Sequence, residues 1–148
     1  MTAHYLDPSA WVKRYFDEPG SDAIASTFSE AQLVCCSSMG MVEIAATIAR
    51  KGRSEHLEPD SLAALLAQAH ADFEAFDRIG ITEAVVRSAE SLAFDLGLRG
   101  GDALHLASAM SIADREGISQ VIMVSADLEL LAAAGAKGLL TVNPAQLR

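Results

Sequence analysis

Short, nearly continuous apolar runs alternate along the chain with longer stretches in which apolar residues recur every three or four positions. The first pattern reads as buried strands and the second as amphipathic helices. Tyr5-Leu6 is the tip of a first strand, and Pro8 suits the first position of the helix that follows. From Pro8 to Phe16, Trp11, Val12, Tyr15 and Phe16 share one helical face until Glu18-Pro19-Gly20 breaks it, and Ser21 to Ala31 forms a second short helix with Ile24 and Phe28 four apart. These aromatics are expected to pack on the sheet, with a partner-protein groove as the alternative.

Gln32 to Cys36 reads as a strand, after which Ser37 or Ser38 can cap a helix running through Met41, Glu43, Ile44 and Ile48 to Gly52. Pro59 opens the stripe Leu62, Leu65, Leu66, Ala69, Phe73, Phe76, and His70 within it is read as structural. Phe76 to Ile81 can form a short strand, and Thr82 caps a helix with Val85, Ala89, Leu92 and Leu96 inward and Gly97 near its end. Gly100 opens a helix to about Glu116 that is small or apolar on most sides and therefore buried. Val121-Ile122-Met123-Val124 is a strand of the kind buried on both faces, Leu128 to Ala134 a last helix, and Leu139 to Val142 a last strand.

Strands alternating with helices predict a single α/β domain over residues 1–148: three layers, α/β/α, around a mainly parallel sheet, with any site beyond the carboxyl ends of the strands. Only 5% of the residues are aromatic although 51% are hydrophobic, so Ala, Leu, Ile and Val must build the core. No apolar run approaches the roughly 18 residues of a membrane span. The N-terminus lacks a basic region followed by an apolar stretch and a cleavage site, so a cytoplasmic protein is expected. Adjacent Cys35 and Cys36 would point to opposite faces of a strand, which makes them buried thiols in a reducing compartment rather than a disulfide.

Charge changes this picture at four places. Asp7, Glu43, Asp102 and Asp127 each stand alone in a long apolar stretch. A buried carboxylate survives as an anion only beside a cation or several donors, so all four are expected to converge on one divalent metal site as its catalytic and metal-binding residues. Oxygen ligands without a Cys or His cluster suit Mg²⁺ or Mn²⁺, which can generate hydroxide for attack on a phosphodiester. Asp102 also has an ordinary reading as a helix N-cap, and the preceding Gly100-Gly101 favours close approach of another group. Ser9 and Ser125, each two residues from a lone acid, can orient a carboxylate, hold a bound water or merely cap helices. His105, one turn from Asp102, reads as a packed, hydrogen-bonded histidine. A net charge of −9 argues against a general nucleic-acid binder, and Arg50, Lys51 and Arg53 form the one dense basic cluster.

Taken together, Asp7-x-Ser9 after a first strand, Val42-Glu43 in an early helix, Asp102-Ala-Leu-His-Leu-Ala after Leu-Arg-Gly-Gly, and Ser125-x-Asp127 after a late strand resemble the PIN-domain ribonucleases, most closely the VapC-type toxins. The resemblance spans essentially the whole chain. It implies Mg²⁺- or Mn²⁺-dependent cleavage of RNA by the quartet Asp7, Glu43, Asp102 and Asp127, with Ser9 and Ser125 in support. It also implies a homodimer and neutralisation by a cognate antitoxin whose tail enters the active-site groove. One departure stands out: Leu128-Glu129-Leu130 follows the fourth acid where many relatives carry basic residues, which leaves Arg14, Arg50, Lys51 and Arg99 as candidates to contact RNA. A housekeeping RNA-processing nuclease and a non-catalytic module of the same fold are the alternatives. A haloacid-dehalogenase-like phosphatase would need a second Asp where this chain has Ser9.

Overall fold

The computed structural model describes residues 1–146. Five strands, β1 (Thr2–Leu6), β2 (Leu33–Ser37), β3 (Asp77–Ile79), β4 (Gln120–Val124) and β5 (Leu140–Val142), form one sheet in the order β3-β2-β1-β4-β5. Every neighbouring pair is parallel, with Tyr5 opposite Cys35 on one side and Met123 on the other. Tyr5 and Leu6 point to opposite faces of β1, and both are fully buried. Helices therefore cover both faces, and the expected three-layer α/β/α architecture is the one observed.

Seven helices connect the strands: α1 (Pro8–Trp11), α2 (Ser21–Glu30), α3 (Gly40–Ser54), α4 (Pro59–Ala75), α5 (Glu83–Leu96), α6 (Gly100–Ala113) and α7 (Leu128–Ala136). Helix α6 is the buried one. Seven of its residues are inaccessible, as its apolar and small composition predicts, and it packs across β2 and β4. Thr82 caps α5 through its side chain, and Gly97 ends that helix at φ 66, in the left-handed region that favours glycine.

Several local expectations are corrected. The helix read from Pro8 to Phe16 is α-helical only to Trp11 and tightens into a 3₁₀ turn over Val12–Arg14. Neither Ser37 nor Ser38 caps α3. Its N-cap is Met39, whose N–H donates to Ser37 Oγ at 3.2 Å, while the Ser37 N–H turns inward to the Tyr5 hydroxyl. Exposed His70 takes no part in the core. Trp11, by contrast, packs inward as expected rather than lining a partner groove, stacking on Phe73 at 5.6 Å and packing on Phe76 at 5.0 Å. Both cysteines are free and buried, and burial pushes the Cys35 thiol up to about 12 and the Cys36 thiol well above its ordinary value.

Candidate active site

The strand order places the site. From β1 the chain moves outward through β2 and β3, then returns to the other side of β1 with β4, so the order reverses between β1 and β4. A crevice opens at such a reversal, beyond the strands' carboxyl ends. Asp7 directly follows β1, its N–H donating to Val124 O at 3.0 Å, and Ser125 and Asp127 directly follow β4. Glu43 comes from the first turn of α3 and Asp102 from the first turn of α6. All four acids line one cavity of about 430 Å³, together with Ser9, Lys13, Glu18, Thr47 and Lys51.

Asp7 is 4% exposed and held on one edge. Its Oδ2 accepts from the Ser9 hydroxyl, from Ser9 N at 3.3 Å and from Ser125 Oγ at 3.0 Å. The two serines also lock the loop after β4, because Ala126 N donates to Ser9 Oγ and Asp127 N to Ser125 Oγ, each at 3.0 Å. Of their possible roles, orienting a carboxylate is the one the geometry displays. Burial raises the Asp7 pKa; the charge of His105 and the serine hydrogen bonds oppose it without cancelling it.

His105 is the second anchor, and it is packed and hydrogen-bonded as expected. Ser37 N–H donates to the Tyr5 hydroxyl at 2.9 Å, Tyr5 meets His105 Nδ1 at 2.7 Å, and His105 Nε2 lies 2.7 Å from Glu43 Oε1. Because Tyr5 already accepts from Ser37, its proton is available to Nδ1, which assigns the Nε2 proton to Glu43. Nε2 also lies 3.8 Å from Asp7 Oδ1. Burial lowers the His105 pKa, but the Glu43 hydrogen bond and the charges of Asp7, Glu43 and Asp102 outweigh it and leave the value raised.

Asp102 is not an N-cap, since Arg99 occupies that position. Its Oδ2 is buried with no hydrogen-bond partner. Desolvation, followed by the charges of Asp127 and Asp7, raises its pKa. Asp127 does cap its helix, accepting from Glu129 N at 2.9 Å and Leu130 N at 3.2 Å. Arg99 spans the two acids, 3.6 Å from Asp102 Oδ2 and 3.2 Å from Asp127 Oδ2. A side chain at Gly100 or Gly101 would enter open space, so the glycine pair is not required by crowding.

No three Asp, Glu, His or Cys side chains among the described residues are already gathered around one point as an ion cage. Protein groups hold the acids instead, the Arg99 guanidinium at Asp102 and Asp127 and the His105 Nε2–H at Glu43. The donor set nevertheless fits a hard divalent ion: four carboxylates share one cavity, Asp102 Oδ2 accepts no hydrogen bond and meets only the Arg99 guanidinium at 3.6 Å, and the hydrogen bonds to Asp7 all fall on Oδ2, leaving Oδ1 facing His105 at 3.8 Å.

The basic candidates separate. Arg99 and Lys51 belong to the site. Arg14 does not line the cavity: it forms a two-pronged contact to Asp72, at 2.8 and 3.3 Å, with its guanidinium 3.9 Å above the Phe28 ring. Arg50 is exposed and reaches Thr47 Oγ1 at 3.3 Å. Sequence reasoning missed Lys13, which is buried and lines the cavity, and Glu18, which pairs with it. The available signal was the basic pair Lys13-Arg14 set between Asp7 and the acidic pair Asp17-Glu18 in a segment otherwise mostly apolar.

An all-parallel α/β sheet with four carboxylates at its switch point defines an acidic centre of the class that takes hard divalent cations. The sequence pattern of the PIN domain matches residues 4–135, and the chain belongs to that family. Ribonuclease VapC45 and Ribonuclease VapC49, from two strains of Mycobacterium tuberculosis, are each 32% identical to it over 151 residues, covering 99% of this chain and 99% of the relative. Among solved structures, FitAB bound to the IR36 DNA fragment matches with a TM-score of 0.72 at 15% identity, covering 98% of this chain and 97% of that one. A toxin-antitoxin complex from Klebsiella pneumoniae matches at 0.67 and 12%, covering 95% and 97%. At such identities the structural likeness is one of fold.

Proposed function

We propose that this protein is a divalent-metal-dependent endoribonuclease that hydrolyses RNA phosphodiester bonds and serves as the toxin of a toxin–antitoxin pair. The observation that carries the chemistry is the meeting of Asp7, Glu43, Asp102 and Asp127 in one cavity, with the buried Asp102 Oδ2 accepting no hydrogen bond. The toxin role rests on the full-length similarity to two VapC ribonucleases. A cognate antitoxin and a homodimer belong to the same reading. No helix among the described residues is long and apolar enough to cross a membrane.

In this reading the four acids hold Mg²⁺ or Mn²⁺, which supplies a polarised water and neutralises charge growing on the phosphate. Ser9 and Ser125 fix the Asp7 carboxylate through Oδ2 and leave Oδ1 free of their hydrogen bonds. His105 sets the rotamer of Glu43. Water adds to phosphorus as the P–O bond to the leaving oxygen breaks; a site carboxylate takes one proton of the water, and the leaving oxygen takes a proton from solvent. Arg99, already between Asp102 and Asp127, is placed to exchange a carboxylate for a phosphate oxygen.

The test is cleavage of an end-labelled RNA panel with Mg²⁺ or Mn²⁺, beside EDTA and Asp102→Asn controls. Cleavage lost in both controls is expected, with the variant down at least about 100-fold; cleavage that persists in EDTA overturns the metal mechanism. Induced expression tests the toxin role, for which growth arrest relieved by Asp102→Asn is expected and unaffected growth points to housekeeping RNA processing.

A further inference from the structure

The acidic cavity also holds a second charged cluster. Lys13, Glu18 and Lys51 line it beside the four acids. Lys13 Nζ donates to Glu18 Oε1 at 2.9 Å and Lys51 Nζ to Glu18 Oε2 at 2.6 Å, so a single carboxylate is shared by two ammonium groups. The trio carries one net positive charge in a cavity otherwise dominated by acids.

This cluster is built rather than incidental. The Lys13 side chain is only 9% exposed, and an ammonium stays charged at such burial only with a counter-ion. Glu18 supplies it: burial raises the Glu18 pKa, but the hydrogen bonds from Lys51 and Lys13 outweigh that and hold it below its ordinary value. The turn carrying Glu18 is itself pinned. Its N–H donates to Ser21 Oγ at 3.0 Å, and Ser21 Oγ donates to Phe16 O at 3.0 Å. At Gly20, where φ is 101, a Cβ would fall 2.9 Å from Ala145 N and 3.1 Å from Lys13 Cδ, so the turn closes against the lysine stem.

Each ammonium gives one of its three N–H groups to Glu18 and keeps others for a further acceptor. Along α3, Glu43, Thr47 and Lys51 recur every four residues and all line the cavity. Lys51 is therefore two turns from Glu43 on the same face, about 12 Å along the axis. A lysine at that separation meets a phosphate next to the one at the acids rather than the same one.

We propose that Lys13 and Lys51 form a phosphate subsite that grips the RNA backbone beside the scissile bond, with the Glu18 carboxylate holding the place of that phosphate until RNA enters. The inference rests on the RNA-cleaving reading above. The chemistry of the exchange is close: a phosphodiester, like a carboxylate, is a monoanion offering two oxygens to two ammonium groups. The competing account is a structural clamp joining the 3₁₀ turn, the Glu18 turn and α3.

The two accounts differ in sign. The experiment measures binding of a fluorescein-labelled single-stranded RNA by anisotropy in EDTA across a KCl series, and cleavage of the same RNA in Mn²⁺, for wild type, Lys13→Met, Lys51→Met and Glu18→Gln. With a phosphate subsite, each lysine variant binds about 5- to 10-fold more weakly, loses about 0.7 from the slope of log affinity against log salt, and raises KM more than it lowers kcat. Glu18→Gln removes the competing charge and binds about 3-fold more tightly. A clamp predicts that all three variants lower the melting temperature and cut more slowly while the salt slope stays put, and that result overturns the proposal. Should Lys13→Met fail to fold, the half-exposed Lys51→Met and Glu18→Gln decide the matter alone, opposite signs supporting the subsite and equal signs refuting it. Wild type that binds and cuts RNA while both lysine variants match it removes only the subsite; wild type that neither binds nor cuts RNA removes the nuclease reading with it.

Discussion

His105 Nε2 and Glu43 Oε1 stand 2.7 Å apart and join helix α6 to helix α3 beside the acidic cavity that Glu43 lines. The imidazole is itself held from behind by Tyr5, whose hydroxyl also accepts from the Ser37 N–H. A hydrogen-bond chain thus runs from the end of β2 to the rim of the cavity. Tyr5→Phe leaves both the Ser37 N–H and His105 Nδ1 buried without partners, an expected loss of about 1–3 kcal/mol. Denaturant unfolding checks it; a loss under about 0.5 kcal/mol would mean that a water replaces the hydroxyl.

Ser125 plays a different part, donating to Asp7 and receiving the Asp127 N–H. Both serine contacts lower a carboxyl pKa that burial raises. Ser125→Ala and Ser9→Ala should therefore move the acid limb of the pH dependence of kcat/KM toward higher pH, as Asp7 becomes harder to ionise. An unmoved or lowered limb excludes Asp7 as the group whose ionisation it reports.

Stability of the metal-free protein should fall as pH rises. The folded-state pKa of Asp7 and of Asp102 lies above the ordinary 3.8, so the folded chain keeps protons that the unfolded chain has released, and stability is lost across that window. The folded-state pKa of His105 lies above 6.5; its contribution is complete below 6.5 and disappears as pH passes through the raised value. The two effects have the same sign. Divalent ions bind only the ionised carboxylates and so release protons, which makes the Mn²⁺-induced gain in melting temperature grow with pH. Melting curves from about pH 3.5 to about pH 8, with EDTA and with Mn²⁺, test both statements, and Asp7→Asn should flatten the decline seen in EDTA. A gain independent of pH would place the ion elsewhere.

Packing between β2 and α3 can be probed without touching the acids. A Cβ on Gly40 would overlap Cys36 Sγ. Gly40→Ala is expected to cost about 1–3 kcal/mol, and Cys36→Ala in the same chain should recover most of it. Strict additivity of the two substitutions in a double-mutant cycle would show that the overlap relaxes another way.

Much of the fold was legible because its signals are local. Every strand and helix expected from the hydrophobic pattern is present, with boundary shifts of a few residues. The largest departure lies after Trp11, where a 3₁₀ turn replaces the end of a helix. Asp7 and Asp127 could be placed at strand ends from turn chemistry alone. Asp102 was harder, because a carboxylate in a first helical turn looks the same whether or not it accepts a backbone hydrogen bond.

The sequence by itself determined the alternation of strands and helices, and the isolation of four acids in apolar surroundings, because periodicity and local charge can be read within a few neighbouring positions. The tertiary structure alone decided which cation meets which anion. Arg14 and Lys51 look equivalent along the chain, yet Arg14 turns away to Asp72 while Lys51 joins Glu18 in the acidic cavity. Likewise His105 meets Tyr5 from a hundred residues away. Such pairings follow from the parallel crossovers that return each helix over the sheet, which bring together segments whose separation along the chain carries no trace of their nearness, and the charge of each site is the sum of those meetings.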